Sequence, residues 1–194
     1  LSTKLNEMLK DSKPGMNSDI PRLPIDRIFS LKGFGTIVTG TLIEGGLSVG
    51  DQVEILPAGI PTRIRGIQNH KKKQQSADPG NRTAINLVGV DVEQISRGDV
   101  VCFPGQYTPT TMIDTAVDLL DNNLAQIKHD DRVKIFIGTA QTIARARVIG
   151  EKSLAPGKNG WVQFILDNEI IAKKKDRFII RKPSPAATIG GGMV

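Results

Sequence analysis

The sequence predicts an all-β protein made of two consecutive β-barrels, preceded by a short helix and a linker. Ile, Val and Thr, which favour strands, supply about a quarter of the residues. Short apolar runs alternate with Gly, Pro and Asp turns along most of the chain, as in proteins built from consecutive strands. No helical pattern of ten or more residues separates these runs, which argues against a fold of alternating strands and helices.

Residues 1–20 are predicted to form the helix and the linker. Leu5, Met8 and Leu9 share one face of a helix over Leu1–Lys10. Residues 11–19 are rich in helix breakers and polar residues, which is typical of a linker. The chain starts with Leu rather than Met and ends in the glycine-rich segment Gly190–Val194, so we expect it to be a piece of a longer protein.

The two barrels are predicted to occupy residues 21–106 and 107–194. A weak internal repeat supports two modules, because a Pro-Gly turn at Pro79–Gly80 recurs at Pro156–Gly157 with similar strands around it. A single domain of this length is the alternative. The predicted strands are Ile25–Leu31, Gly35–Leu42, Gln52–Leu56, Thr62–Gln68, Arg82–Val88, Val100–Phe103, Thr111–Leu120, Asp131–Ile137, Gln141–Ile149, Gly160–Leu166 and Asp176–Ile180.

The composition restricts the class of protein. Charged residues make up 24% of the chain and hydrophobic residues 39%, a globular balance that excludes a fully disordered chain. No apolar stretch approaches the roughly 18 residues of a membrane span, and the start lacks a signal peptide, so we expect a cytoplasmic protein. The net charge of +6 favours polyanionic partners, while the 4% of aromatic residues argues against binding of single strands by base stacking.

The residues that usually support catalysis are missing. Neither His70 nor His129 has neighbours at metal-ligand spacing, so we expect surface histidines and no metal site. The lone Cys102 lies in an apolar run and is predicted to be a core residue. The stretch Lys32–Thr36 lacks the spacing of a phosphate-binding loop, and its glycines are predicted to serve turns.

Two lysine runs are the main basic clusters. They are Lys71–Lys73 and Lys173–Lys175. One interpretation is a solvated hairpin tip or an edge strand that its charge protects from pairing. The other is contact with nucleic acid phosphates, which we predict for Lys71, Lys72 and Lys73.

Two longer stretches carry a family resemblance. The first is Arg22–Leu42, which continues into Gly45–Ile55. The second is the tail Arg181–Val194, in which Pro183 is followed by Thr188–Gly192. Together they resemble the second and third domains of the translational GTPases of the elongation factor Tu family, and within that family most closely the selenocysteine-specific factors of the SelB type.

The resemblance covers the chain from Pro21 onwards, and Leu1–Lys10 looks like the last helix of the GTPase domain. It implies barrels of the domain II and domain III type. It also implies a partner, selenocysteinyl-tRNA, held by a monomer for delivery to the ribosome. The family's phosphate loop, switch regions and C-terminal winged helices are absent from this sequence, so the resemblance implies no GTPase activity here. GTP and Mg²⁺ would belong to the GTPase domain of a full-length protein.

The resemblance also implies a basic pocket for the selenocysteine side chain, made by Asp26, Arg27 and Arg82. Arg82 follows Gly80-Asn81, where the family usually has Gly-Gln. A selenol ionises well below neutral pH, whereas a thiol has a pKa of about 8.5, so two guanidinium groups favour the selenolate over a neutral serine. We expect Asp26 to hold Arg27 in place and to offset the repulsion between the two arginines.

Two alternatives remain at this point. The chain could be the same two domains of another translational GTPase, such as elongation factor Tu or the tRNA-carrying initiation factor. It could also be a cofactor-binding barrel of an enzyme, for example a flavin reductase, which would give a yellow protein.

Overall fold

The computed structural model describes residues 4, 20–31, 33, 35–69, 72–121 and 125–194. Apart from Lys4 and Ile20, the residues of the predicted helix and linker lie outside this described part. The described part of the chain from residue 20 onwards is all β, with one 3₁₀ turn at Val92–Gln94. No helix in that part is long and apolar enough to cross a membrane.

The first barrel is a closed ring of six antiparallel strands. The order around the ring is β4-β9-β1-β2-β8-β5, and β5 pairs with β4 to close it. Strand β6 extends the sheet beside β5, and β3 pairs with β7 as a small separate sheet. The strands are β1 (Arg22–Leu31), β2 (Gly35–Thr41), β3 (Leu47–Ser48), β4 (Gln52–Leu56), β5 (Ile60–Asn69), β6 (Lys72–Gln74), β7 (Ser76–Ala77), β8 (Arg82–Leu87) and β9 (Val100–Cys102).

The second barrel is also a closed ring of six antiparallel strands. Its order is β10-β15-β13-β12-β16-β17, and β17 pairs with β10 to close it, while β11 and β14 form a separate pair. The strands are β10 (Thr110–Leu119), β11 (Ile127–Lys128), β12 (Arg132–Ile137), β13 (Ala140–Val148), β14 (Ser153–Leu154), β15 (Asn159–Ile170), β16 (Arg177–Lys182) and β17 (Ala187–Met193).

Each barrel has its own apolar core, built by alternation along the strands. On β12, for example, Val133, Ile135 and Ile137 point inwards, while the residues between them face outwards. In the longer strands, alternation with period two buries one face and leaves the other for solvent or ligands. The prediction of two consecutive all-β barrels is therefore confirmed, whereas the exact domain limits at 21–106 and 107–194 stay a prediction.

Close contact between β1 and β2 depends on Gly40. A Cβ atom at this position would lie 2.1 Å from the carbonyl oxygen of Pro24, so any other residue would push the strands apart. Beside it, Ile25 pairs with Gly40 and Arg27 pairs with Thr39, so β1 carries one extra residue, Asp26, in a β-bulge. A bulge re-aims the side chains of the extra residue and its neighbour.

Three consecutive glycines allow β17 to close the second barrel. A Cβ atom at Gly190, Gly191 or Gly192 would lie 2.5, 2.6 or 2.0 Å from a backbone oxygen of a neighbouring strand. The tail on which the family resemblance partly depends therefore has a packing reason for its glycines. Because it lacks side-chain alternation, β17 was missed among the strands predicted from sequence.

The two barrels are joined through a buried ion cluster. The guanidinium of Arg22, at the start of β1, donates hydrogen bonds of 2.6 and 2.7 Å to both carboxylate oxygens of Asp176. It also donates to Glu44 at 3.2 Å, and Glu44 accepts a bond of 2.5 Å from Lys173. Arg22 is only 6% exposed. Beside these charges an apolar cluster of Leu56, Val100, Cys102 and Ile171 covers the interface, which confirms Cys102 as a buried residue.

Candidate functional site

The predicted residues Asp26 and Arg82 meet on the outside of the first barrel. The bulge directs Asp26 towards β2 and β8, and Arg82 lies at the first position of β8, opposite Thr41. The Arg82 guanidinium donates to both carboxylate oxygens of Asp26, and its Nη2 lies 2.9 Å from Oδ1. Thr39 connects the pair, because its hydroxyl donates to Asp26 at 2.7 Å and accepts from Arg82 at 3.3 Å.

The pair holds both groups in their charged forms. The hydrogen bond from Arg82 is the main cause that lowers the pKa of the Asp26 carboxyl below its ordinary value. In return, the hydrogen bond to Asp26 raises the pKa of Arg82. The Arg82 side chain is nevertheless 50% exposed, against 21% for Asp26, so the guanidinium presents its outer edge to solvent.

Arg27 lies next to this pair, but its interaction differs from the prediction. We expected Asp26 to hold Arg27, whereas the Asp26 oxygens bond to Arg82 and Thr39. The bulge explains the difference, because it places Asp26 and Arg27 together opposite Thr39 and turns the carboxylate across β2 towards β8. Arg27 is exposed, and its charge contributes only the smallest of the effects that lower the pKa of Asp26.

A groove of about 550 Å³ begins next to the ion pair on the same outer face. Along β8 the outward residues are Arg82, Ala84 and Asn86, and the last two line the groove. Phe29 on β1 lies opposite Ile37 on β2, and Ile37 lies opposite Asn86. The groove thus has an apolar floor, and the Asn86 Oδ1 atom is buried there without a hydrogen-bond partner among the described residues.

The predicted phosphate contacts fall partly on this groove. Lys72 and Lys73 are exposed on β6, a short strand at the edge of β5, and Lys73 lines the groove. Lys71 and His70 lie outside the described residues. Both earlier interpretations fit this position, since the two lysines are on an edge strand and also beside a concave surface.

The second barrel carries a basic face that the sequence reasoning missed. Arg132 on β12 lies directly opposite Arg145 on β13, and Lys134 lies directly opposite Arg181 on β16. Like charges opposite each other destabilise a sheet, and a nearby anion would relieve this repulsion. Within the described residues, Asp167 forms an ion pair with Arg132.

Two further features of this basic face concern Arg181 and the ring of Phe136. The Nε atom of Arg181 is buried and has no hydrogen-bond partner in the described part of the chain. Lys134 and Arg181 both lie over the ring of Phe136, at 5.4 and 5.9 Å from its centre. Basic residues at every second position, as in Arg145 and Arg147, are the sequence signal that could have identified this face.

Two family models match the chain. Elongation factor Tu domain 2 matches residues 35–102. The β-barrel domain of the selenocysteine-specific elongation factor matches residues 114–194. In the residues that the structure describes, no three His, Cys, Asp or Glu side chains form a group that could hold a metal ion.

Similar proteins agree with these matches. A selenocysteine-specific elongation factor from Desulfomicrobium baculatum is 34% identical over 188 residues, which cover 97% of this chain and 30% of that protein. Elongation factor Tu 2 of Streptomyces avermitilis is 28% identical over 177 residues, which cover 89% of this chain and 45% of that protein.

Two solved structures share the fold over nearly the whole chain. The bacterial selenocysteine-specific elongation factor EF-Sec superposes with a TM-score of 0.81 at 26% identity, and the match covers 100% of this chain and 31% of that one. SelB from Methanococcus maripaludis, in its apo form, gives a TM-score of 0.80 at 24% identity, with 98% and 46% covered. The chain therefore spans less than half the length of each of these relatives.

Proposed function

Because this chain joins an elongation factor Tu domain 2 to a β-barrel domain of the selenocysteine-specific elongation factor family, we propose that it is the tRNA-binding portion of such a factor. In this role it holds selenocysteinyl-tRNA for delivery to the ribosome in the cytoplasm, as a monomer. The observation that carries the proposal is the cluster of Asp26, Arg27 and Arg82, which supplies a net positive charge on the surface of the first barrel.

The cluster is suited to an anionic side chain of small size. A guanidinium group has five N–H donors, and the bonds to Asp26 and Thr39 engage three of those of Arg82. The other two can donate to a ligand, and Asp26 and Thr39 fix their direction. A selenolate gains a charge-assisted hydrogen bond here, while a neutral serine hydroxyl gains much less.

The neighbouring groove supports the binding of the nucleotide that carries the amino acid. Ala84 lines the groove and lies two residues from Arg82 on β8. Residues two apart on a strand are about 7 Å apart, so the groove begins about 7 Å from Arg82. An apolar floor with Phe29 and Ile37 can contact the face of a base. Asn86 lines the groove, and its side-chain amide can exchange hydrogen bonds with a base edge.

The basic face of the second barrel supports contact with the tRNA backbone. Its opposed pairs, Arg132 with Arg145 and Lys134 with Arg181, would be stabilised by phosphates placed between them. Such contacts do not depend on the amino acid. We therefore assign selection of the aminoacyl group to the first barrel and general affinity for tRNA to both barrels.

The glycine-containing turn between β1 and β2 differs from a phosphate-binding loop. Gly33, in the turn between β1 and β2, has a φ angle of +84°, and Gly35, the first residue of β2, has a φ angle of +85°, so this turn leads into a strand. A phosphate-binding loop instead opens a helix, whose N-terminal N–H groups face the phosphates. We expect both cofactors to bind a GTPase domain of the full-length protein, and the described barrels to show no saturable GTP binding by calorimetry.

The test compares two aminoacylated forms of one tRNA on the full-length protein. Arg82→Ala removes a charge-assisted hydrogen bond, which is worth roughly 1.5–3 kcal/mol, so selenocysteinyl-tRNA should bind about ten- to a hundredfold more weakly. Seryl-tRNA should change little. Arg82→Lys should restore only part of the affinity, because an ammonium group lacks the planar fork.

The matched control is a basic residue outside the cluster. Arg145→Ala should weaken both aminoacylated forms equally and reduce the salt dependence of binding by about one phosphate contact. An unchanged ratio between the two forms in Arg82→Ala would contradict the pocket. It would favour the alternative of a factor that carries tRNA without selecting selenocysteine.

A further inference from the structure

We propose that the outer face of the second barrel carries a docking groove for an acidic, apolar-anchored segment of a partner protein. The groove has a volume of about 640 Å³ and lies between Trp161 on β15 and Met193 on β17. Both residues lie opposite Ala116 on β10. Because neighbouring strands are about 4.8 Å apart, the two large side chains stand about 10 Å apart with only a methyl group between them.

The sides of this groove are apolar and open to solvent. Trp161 is 63% exposed, Met112 is 52% exposed and Met193 is 45% exposed. Exposed apolar groups that cluster in one place mark interaction sites. Tryptophan and methionine are enriched at protein interfaces, and the flexible thioether of methionine adapts to a partner's side chains.

One end of the groove is basic and has a fixed backbone. Lys174 and Lys175 line this end, in the turn between β15 and β16. The Lys175 N–H donates to the carbonyl of Val194 at 2.7 Å, and the Lys173 N–H donates to the Asp176 carboxylate at 2.8 Å. Asp176 is itself held by Arg22 of the first barrel. The two exposed ammonium groups therefore extend from a rigid base, and they complement acidic residues of a partner.

The chemistry of the groove favours a protein over a nucleic acid. The Asp114 carboxylate lines the groove and accepts a bond of 2.8 Å from Gln163, so it would repel any anionic group along the floor. A nucleic acid carries a phosphate at every nucleotide, whereas a protein segment can keep its acidic residues away from Asp114. Binding of single strands relies on several aromatic platforms, whereas this groove has one aromatic ring and two methionines. The expected partner places an apolar side chain over Ala116 and its acidic residues at the lysine end.

The test uses the fluorescence of Trp161, which is the only tryptophan in the chain. The probes are two synthetic amphipathic peptides of about 14 residues, with Leu on one face and either Glu or Lys on the other. We expect the Leu/Glu peptide to shift the emission to shorter wavelength and to saturate, and the Leu/Lys peptide to have no such effect.

Two sets of variants check the assignment. Lys174→Glu combined with Lys175→Glu should weaken the Leu/Glu peptide about tenfold or more, because like charges would then meet. The matched control, Lys128→Glu with Lys152→Glu, makes the same charge change at exposed residues outside the groove and should leave the affinity unchanged. Ala116→Gln fills the floor and should abolish the emission shift while the circular dichroism spectrum stays the same.

Three outcomes would overturn the proposal. One is the absence of an emission shift with the Leu/Glu peptide at millimolar concentration, or an equal response to both peptides. Another is tighter binding of a uridine decanucleotide that quenches Trp161, which would make the groove a nucleic acid site. The third is an emission shift that grows with protein concentration and coincides with a dimer in sedimentation, which would mean that a second copy covers the groove.

Discussion

Replacing Arg22 by methionine should uncouple the two barrels. The change keeps an unbranched side chain of similar length but removes the bonds to Asp176 and Glu44. The Arg22 and Asp176 side chains are only 7% and 16% exposed. Loss of one partner from a buried pair costs about 3–5 kcal/mol, since it leaves an uncompensated charge. Lys173 still neutralises Glu44, so only Asp176 loses its partner, and we expect the free energy of unfolding to fall by about 3 kcal/mol, the lower end of this range.

The measurement is urea unfolding followed by far-UV circular dichroism, because urea does not screen charges as guanidinium does. A loss of about 3 kcal/mol should lower the urea midpoint by about 1 M, if the urea slope is about 2–3 kcal/mol per molar. We also expect the transition to broaden or divide in two, because each barrel has its own core and would then unfold separately.

Arg132→Met provides the matched control. It breaks another ion pair, with Asp167, but these side chains are 62% and 47% exposed. Exposed pairs are worth about 0–1 kcal/mol. Equal effects of Arg22→Met and Arg132→Met would refute the argument that burial makes the Arg22 pair costly to break. If the argument holds, a double-mutant cycle with Asp176→Asn should show a coupling free energy between Arg22 and Asp176 well above that between Arg132 and Asp167.

Three further predictions concern single side chains. Burial raises the pKa of the Cys102 thiol to about 12, so at pH 8 the thiolate fraction of the native protein should be about a thousandfold below that of the unfolded chain. Iodoacetamide reacts with the thiolate, so the labelling rate of Cys102 should be lower by the same factor. Rapid labelling of the native protein would contradict this. Because the pKa of Asp26 is lowered in the folded protein, its contribution to the free energy of unfolding is complete above about pH 5 and is lost as the pH falls through the folded-state pKa. Asp26→Asn should therefore flatten the acid side of the pH–stability profile. Asp99→Asn should make it steeper, because burial raises the pKa of that carboxyl, and identical slopes in the two variants would count against both assignments. Gly192→Ala should destabilise the second barrel by about 3 kcal/mol or more, because its Cβ atom would meet a backbone oxygen at 2.0 Å. Gly66→Ala is the control, because its Cβ atom would enter open space, and it should cost less than about 1 kcal/mol in the same urea assay.

The strands with regular alternation could be predicted from the sequence to within a few residues. The run Thr62–Gln68 lies inside β5, and Asp131–Ile137 corresponds to β12, because buried and exposed residues alternate there. The short strands β3, β6, β7, β11 and β14 could not be predicted in this way. Strands of two or three residues carry little pattern unless they are apolar throughout, as β9 is, and their pairing depends on the tertiary fold.

The candidate site was predictable in part, for a different reason. Asp26 and Arg82 are 56 residues apart, and only the family resemblance placed them together before the barrel was known. The bulge that turns Asp26 towards Arg82 is a feature of strand register, and the local residue pattern does not reveal it. The pair of Arg22 and Asp176 was even less predictable from the sequence, because the two residues are 154 positions apart. Arginine is also rarely buried, so nothing in the local sequence indicates that Arg22 lies in an interface.

The order in which the strands appear during synthesis gives the ion cluster a second consequence. The first barrel is complete once β9 has been made, and domains fold as units from the N-terminus onwards. At that stage Arg22 and Glu44 face water, because Lys173 and Asp176 are still to be translated. These charges remain hydrated until the second barrel arrives, so the apolar part of the waiting interface is confined to the patch around Leu56, Val100 and Cys102. An interface that was apolar throughout would expose more of the nascent chain to aggregation.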